Sequence, residues 1–328
     1  MIFISSTRPR LHSRRFDFGL GVALLLPLAL FAAEPSIDLE GELDASALYS
    51  PLSGEAVFAD AAIELVEQLE SKHYASVDID DGFSSIVFDK YLDALDGSKL
   101  YLLASDVQRI ARYRYTLDNS LAEGDLTPAY DIYNIYHQRV IDRLVYAIER
   151  IDNAVPAMDF TVDEYLILDR EDAPFAQSKA ELDELWRKRV KNSVLSLKLT
   201  GDTNEEIVEK LGKRYRNQLR QVLKTNGKDV FQAYLSTVAS SVDPHTSYFS
   251  PRDSENFNMG LSLSLQGIGA QLTTEDEYTK VVELIKGGPA ERAAELQEGD
   301  KIIGIGQGID GEIKDVVGMR LDDVVAQI

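Results

Sequence analysis

Two glycines stand inside an apolar strand pattern near residue 270, where they could help to bind the carboxylate of a peptide end. The sequence there reads Gln266-Gly267-Ile268-Gly269-Ala270-Gln271-Leu272. A cluster of backbone N–H groups can bind a carboxylate, and glycine lets the main chain turn such donors towards an anion without steric cost. Ile268 and Ala270 would then border an apolar pocket for the last side chain of the peptide. A tight β-bulge in an ordinary strand is the alternative interpretation of this pattern.

Three further segments favour the peptide-binding interpretation. Gly287-Gly288-Pro289-Ala290-Glu291-Arg292-Ala293 predicts a short helix that begins at a proline, and Gly299-Asp300-Lys301 predicts a turn into the apolar strand Ile302–Ile305. The stretch from Arg320 to Ile328 predicts an amphipathic helix that could wall a groove. The predicted peptide-binding residues are Gly267, Ile268, Gly269, Ala270, Leu272, Leu321, Val324, Val325 and Ile328.

Other patterns that could carry chemistry are weaker. Gly306-Gln307-Gly308-Ile309-Asp310-Gly311 fits the dinucleotide-binding spacing, but the β-leaning residues after it predict a glycine-rich loop between strands. Asp78-Ile79-Asp80-Asp81-Gly82 faintly resembles a calcium loop, yet Phe83 would stand where that loop needs glycine, so we predict a helix-capping turn. The histidines show no metal-ligand spacing; they are His12, His73, His137 and His245. We therefore assign no metal and no cofactor.

The composition limits the classes of protein to which the chain can belong. It has 328 residues, enough for about two domains, and its apolar and charged fractions of 45% and 27% are ordinary for a globular protein. The formal net charge of −21 repels phosphates and anionic lipids, which argues against nucleic-acid binding. The chain has no cysteine, which excludes disulfides, thiolate zinc sites and a thiol nucleophile.

The N-terminus has the pattern of a secretory signal. The basic residues Arg8, Arg10, Arg14 and Arg15 precede an apolar run from Gly19 to Ala33, and Glu34-Pro35 ends it. The run is short for a membrane span, which needs roughly 20 residues, and Pro27 interrupts it. We predict a signal peptide over residues 1–33 and export of the protein. An uncleaved signal stays an alternative, and it would supply the one expected membrane contact.

Helical periodicity dominates the region up to about residue 240. The apolar stripes are Phe58, Ala62, Leu65, Val66 and Leu69; Val87, Phe88, Tyr91, Leu92 and Leu95; Tyr133, Tyr136, Val140, Ile141, Leu144 and Ile148; Leu182, Leu185, Trp186, Val190, Val194 and Leu197; and Ile207, Leu211, Leu219 and Val222. We expect their tyrosines to pack helix against helix. Prolines and turn formers begin near Ser240, and strand-like alternation begins at Leu261. The predicted boundaries are 34–242 for a helical domain, 243–256 for a linker and 257–328 for a second domain.

At several places the residues resemble a known family. The segment from Leu261 to Ile328 resembles a PDZ domain of the bacterial C-terminal-processing protease type. Asp243-Pro244-His245-Thr246-Ser247-Tyr248 resembles the linker into that domain in tail-specific proteases, and the segment from Phe83 to Asp106 resembles their helical domain. The fold class implied is an α+β multidomain protein, in which an all-α domain precedes an incomplete PDZ domain with a small antiparallel sheet.

The resemblance also implies an activity. Members of this family are exported serine endopeptidases with a Ser-Lys dyad, in which a neutral lysine is the general base. Their PDZ domain binds the apolar C-terminus of a protein substrate and gates access to the catalytic site. Both dyad residues follow the PDZ domain in the family, so no catalytic residue is expected in this chain. The expected location is the periplasm. An envelope adaptor protein is a further candidate partner.

A stand-alone exported PDZ adaptor without protease activity is the competing hypothesis. Such a protein would bind peptide ends but would not hydrolyse them. We expect the amphipathic helix that reaches Ile328 to need further strands to close its groove, which favours a fragment of a longer protease.

Overall fold

The computed structural model divides the chain into two compact units. It describes residues 2–5, 39–75, 77–250, 253–254, 257–258, 267–276, 278–306 and 313–328. One unit spans Leu39–Phe257, and the other combines Asn258–Ile328 with the N-terminal stretch Met1–Asp38. Most of the predicted signal, from residue 6 onwards, lies outside the described residues. Within the described ranges, no helix combines the length and the apolarity that a membrane crossing requires.

The first unit is built from α-helices. Their bounds are α1 (Ala45–Leu48), α2 (Val57–Lys72), α3 (Asp81–Asp96), α4 (Ala104–Ile110), α5 (Leu117–Ala122), α6 (Thr127–Ala154), α7 (Lys179–Leu199), α8 (Asn204–Leu223) and α9 (Gly227–Val242). Short 3-10 turns follow α4 and α6, at Ala111–Tyr113 and Val155–Ala157. The predicted helical stripes correspond to α2, α3, α6, α7 and α8, so the helical fold of this region is confirmed.

Polar side chains fix where several of these helices begin. The Asp80 carboxylate accepts a hydrogen bond from the Phe83 N–H at 2.9 Å and caps α3, which confirms the predicted capping turn. Asn226 caps α9, and the Asp229 carboxylate accepts a hydrogen bond from the Asn226 N–H at 2.9 Å, which completes a capping box. Such caps satisfy N–H groups at the first turn that the helix itself leaves without acceptors.

Helix α6 connects two hydrophobic cores. Its first half packs with α2, α3 and α9, where Phe58 stacks on Phe231 with ring centroids 4.4 Å apart. The buried rings of Tyr91 and Tyr234 meet edge to face at 5.2 Å in the same core. Its second half packs with α7 and α8, where the Trp186 indole N–H donates to the Leu100 carbonyl at 2.7 Å. The tyrosines therefore pack between helices, as predicted.

The segment that follows α9 is attached to the helical unit. The Tyr74 hydroxyl donates to the Asp243 carboxylate at 2.6 Å, and His73 Nε2 lies 2.9 Å from the Thr246 hydroxyl. Tyr248 packs edge to face against Phe231 at 5.8 Å. His245, which belongs to the predicted linker, is exposed and its Nδ1 lies 3.1 Å from an Asp243 oxygen. The boundaries at 242 and 256 stay predictions.

The second unit contains a small antiparallel sheet. Its elements are β1 (Ile2–Ser5), β2 (Ala270–Glu275), β3 (Tyr278–Leu284), α10 (Pro289–Ala293), β4 (Lys301–Gly306), β5 (Ile313–Asp315) and α11 (Leu321–Val325). The strand order is β1-β4-β3-β2, and β5 also pairs with β4. The register places Leu272 opposite Val281 and Thr279 opposite Ile302. The predicted helix at the proline and the predicted strand after Gly299 are both present.

A buried histidine in the helical unit gives a test by pH. Burial lowers the pKa of His137, although its Nε2 lies 3.1 Å from the Val222 carbonyl, so the folded unit favours the neutral ring. The unfolded chain accepts this proton at a higher pH, so His137 weakens folding as the pH falls below about 6.5. We expect His137→Gln, which keeps an N–H donor, to lose less unfolding free energy between about pH 7.5 and about pH 5 in urea titrations. Equal losses in both proteins would contradict this.

Candidate peptide-binding groove

Gly269 is held in a conformation that only glycine adopts without strain. Its φ is +77°, in the left-handed region. A Cβ atom there would lie 3.0 Å from Pro289 Cδ and 3.1 Å from Gly288 Cα. Gly267, by contrast, has open space at the position of a Cβ. The loop therefore packs directly on the start of α10, and only the second of its two glycines is required by that contact.

Two hydrogen bonds fix the direction in which this loop points its carbonyls. The Ala290 N–H donates to the Ile268 carbonyl at 2.8 Å, and the Ile285 N–H donates to the Gly269 carbonyl at 2.8 Å. The N–H groups of Gly267, Ile268 and Gly269 donate no backbone hydrogen bond to any of the described residues. Three consecutive backbone donors thus have no partner in the described part of the chain, and such a row can bind an anion.

Strand β2 continues from this loop and has an open edge. It pairs with β3 on one side and stands last in the strand order. The register of its pairing with β3 shifts between Gln271 and Leu272, so the irregular pairing lies two residues beyond Gly269. In the part of the chain that the structure describes, no strand covers the other edge of β2. An extended peptide can add to such an edge through main-chain hydrogen bonds.

Helix α11 lies beside β2 and is shorter than predicted. It covers Leu321–Val325, whereas the pattern extended from Arg320 to Ile328. Val324 is fully buried with Ile302, Ile305 and Val316, so its side chain anchors the helix to the sheet. Val325 is 47% exposed on another face. Packing against β4 thus turns Val324 inwards and leaves Val325 accessible, while the predicted role of both valines in binding stays a prediction.

The remaining apolar residues of the predicted site are all half-buried in the second unit. Ile268 and Ala270 are half-buried and pack with Val281, Ala290 and Leu296. Leu272 belongs to this cluster and also to the cluster of α11, so its side chain joins the two. Leu321 and Ile328 are half-buried. The structure thus brings Ile268, Leu272 and the α11 residues into one small domain, while their role in binding stays a prediction.

The rival sites do not gain support from the structure. Strand β5 begins at Ile313, where a dinucleotide site would need a helix. Residues 307–312, which carry most of the glycine pattern, lie outside the described residues. No cluster of three metal-ligating side chains occurs in the described ranges.

A cavity of about 420 Å³ lies in the helical unit and is lined by Arg150, Glu164, Arg187 and Lys191 among others.

Comparison with known families decides the classification of the chain. The family model of the tail-specific protease N-terminal domain matches residues 65–252. The chain belongs to the tail-specific protease family. A PDZ domain model matches residues 251–328, so the second unit contains a PDZ domain.

Individual relatives agree with this family. The tail-specific protease of Haemophilus influenzae is 38% identical over 305 residues, which cover 92% of this chain and 43% of that protein. The carboxy-terminal processing protease CtpA of Bacillus subtilis is 30% identical over 139 residues, which cover 42% of this chain and 28% of that protein. The chain therefore spans less than half the length of these tail-specific and carboxy-terminal processing proteases.

A solved structure also matches part of the chain. It is the PDZ domain of a carboxy-terminal protease from Vibrio cholerae in complex with a peptide. The two are 53% identical, and the match covers 20% of this chain and 64% of the other, with a TM-score of 0.19.

The two glycines of the PDZ loop should respond differently to substitution. Gly269→Ala forces a Cβ into the left-handed region and against Pro289, and the conformation alone costs about 1–2 kcal/mol. Gly267→Ala is the matched control, because its Cβ meets no atom. We expect hydrogen exchange to report a less stable β3 in Gly269→Ala and little change in Gly267→Ala. Similar exchange in both variants would contradict the packing described for Gly269.

Proposed function

We propose that this chain is the substrate-recognition part of an exported serine endopeptidase that processes or degrades proteins from their apolar C-termini. The observation that carries the proposal is the row of free N–H groups at Gly267, Ile268 and Gly269, directly before the open edge of β2. A peptide that pairs with β2 would place its terminal carboxylate at this row. Backbone donors can bind that group without a cationic side chain.

The side chains around the loop favour an apolar last residue. Ile268 and Leu272 are half-buried within an apolar cluster, and Val325 presents an exposed methyl surface on α11. A charged final side chain would lose hydration in such a site without gaining a partner. We therefore propose that substrates end in apolar residues with a free carboxylate.

Hydrolysis requires residues that this chain does not supply in a recognisable arrangement. We propose that a Ser-Lys dyad in the remainder of the protease cleaves the substrate after the PDZ domain has bound it. The relatives are named proteases, and this chain spans less than half of their length, which supports this division of labour. The competing adaptor hypothesis has no such support from the relatives.

The location of the protein is a separate proposal. We propose export to the periplasm by the predicted signal of residues 1–33, on the strength of its arginines and its short apolar run. Attachment to the inner membrane would need that signal to stay uncleaved. Mass spectrometry of the N-terminus of the cellular protein distinguishes the two forms.

The proposed recognition is tested with paired peptides. A peptide with an apolar C-terminal residue and a free carboxylate should bind the chain about ten- to a hundredfold more tightly than its amidated form, since charge-assisted hydrogen bonds contribute about 1.5–3 kcal/mol. Fluorescence anisotropy measures both affinities. Equal affinities would contradict the assignment of the N–H row.

A surface variant locates the groove. Val325→Asp should weaken binding of the carboxylate peptide, because it places a negative charge beside the proposed pocket. Val282→Asp on β3 is the matched control, since Val282 is 45% exposed and Val325 is 47% exposed. Isothermal titration of both variants should show a loss only for Val325→Asp. An equal loss in the two variants would move the binding site away from α11.

A further inference from the structure

An unusual segment connects α6 to α7 in the helical unit. Residues 162–170, here called the extended segment, belong to no helix or strand. The chain has no turn or bend between residues 163 and 170. Glu164 and Leu166 are half-buried, whereas Tyr165, Ile167 and Leu168 are exposed, so burial alternates over residues 164–167. Alternation with a period of two is the pattern of a β-strand. Residues 164–167 therefore show the burial alternation of a strand, and none of the described strands pairs with them.

Ionic and polar contacts hold both ends of the extended segment in place. The Glu164 carboxylate accepts hydrogen bonds from Arg187 and Lys191 on α7, which hold the pKa of Glu164 at about 2. At the other end, the Arg170 guanidinium donates to the carbonyls of Ser98 at 3.2 Å and Lys99 at 3.4 Å. The conformation is thus fixed before any partner binds, which lowers the entropy cost of binding.

The middle of the extended segment exposes both its backbone and its apolar side chains. Among the described residues, none forms a backbone hydrogen bond with residues 163–168. The exposed fractions are 81% for Tyr165, 64% for Ile167 and 72% for Leu168. Unpaired N–H and C=O groups beside exposed apolar side chains are the features through which strands add to a sheet edge.

The charges around the extended segment indicate the kind of partner. Asp163 and Asp169 flank its apolar centre, and Glu171 and Asp172 follow; all four are exposed. A second copy pairing antiparallel about Leu166 would put Asp163 opposite Asp169, and like charges directly opposite each other are destabilising. An edge strand that carries lysines, as exposed edges of natural sheets often do, would instead oppose these carboxylates with cations.

We infer that the extended segment is a docking strand for a partner protein, and that it pairs through its backbone with a basic edge strand of the partner's sheet. This surface is separate in sequence from the PDZ domain and does not depend on the function proposed for it. The exposed Tyr165 and Ile167 would contact apolar side chains of the partner strand, and Asp163 and Asp169 would contact its lysines.

A synthetic strand tests this inference on the full chain. The probe is a peptide of alternating valine and lysine, acetylated and amidated so that it has no free carboxylate for the PDZ groove. We expect it to slow hydrogen exchange of the amides of residues 163–169 by at least about tenfold. The same peptide with N-methylated backbone amides keeps the charge but cannot pair, and a glutamate counterpart reverses the charge. Neither should give protection.

Two variants complete the test. Ile167→Pro removes a backbone donor from an exposed position and should abolish the protection, whereas Leu199→Asp, at a 79% exposed apolar residue near the end of α7, should leave it unchanged. Protection that is equal with the N-methylated peptide, or absent with the valine-lysine peptide, would overturn the inference. A concentration-dependent dimer that Ile167→Pro abolishes would also overturn it, because a second copy would then be the partner.

Discussion

The carbonyl groups of Ile268 and Gly269 both accept hydrogen bonds inside the PDZ domain, and the rest of the proposed binding surface depends on these two bonds. Their bonds from Ala290 and Ile285 attach the loop to the start of α10, and the left-handed Gly269 lets the chain pack there without a side chain. Because the carbonyls bond inwards, the N–H groups, which have no partner among the described residues, could bind a ligand. The same bonds set where β2 begins, and so where a paired peptide would end.

The helical domain was largely predictable because its signals are repeated over many turns. Five apolar stripes indicated α2, α3, α6, α7 and α8, each of which spans several turns. Short helices such as α1 and α5 were not predicted, because one or two turns carry too little periodicity to be read from a sequence. The extended segment was missed for a different reason. Contacts distant in sequence, from Arg187 and from the carbonyl of Ser98, hold it straight.

The PDZ groove was predictable in its elements and less so in its details. Local glycine and proline signals gave the loop, α10 and β4, since each needs a specific backbone conformation. The orientation of α11 could not be obtained in this way. A helix of five residues has no reliable apolar face in sequence, and tertiary packing buried Val324 and exposed Val325. The strongly acidic composition did not indicate the position of either proposed site, because both sites rely mainly on backbone groups.

An NMR titration tests the central claim, that the free N–H row binds a carboxylate, most directly. The uniformly ¹⁵N-labelled chain is titrated with a peptide that ends in an apolar residue and a free carboxylate. The account predicts downfield amide proton shifts at Gly267, Ile268 and Gly269, together with cross-strand contacts between the peptide and β2. Tight binding with these three amides unshifted, and with the changes confined to other residues, would contradict it.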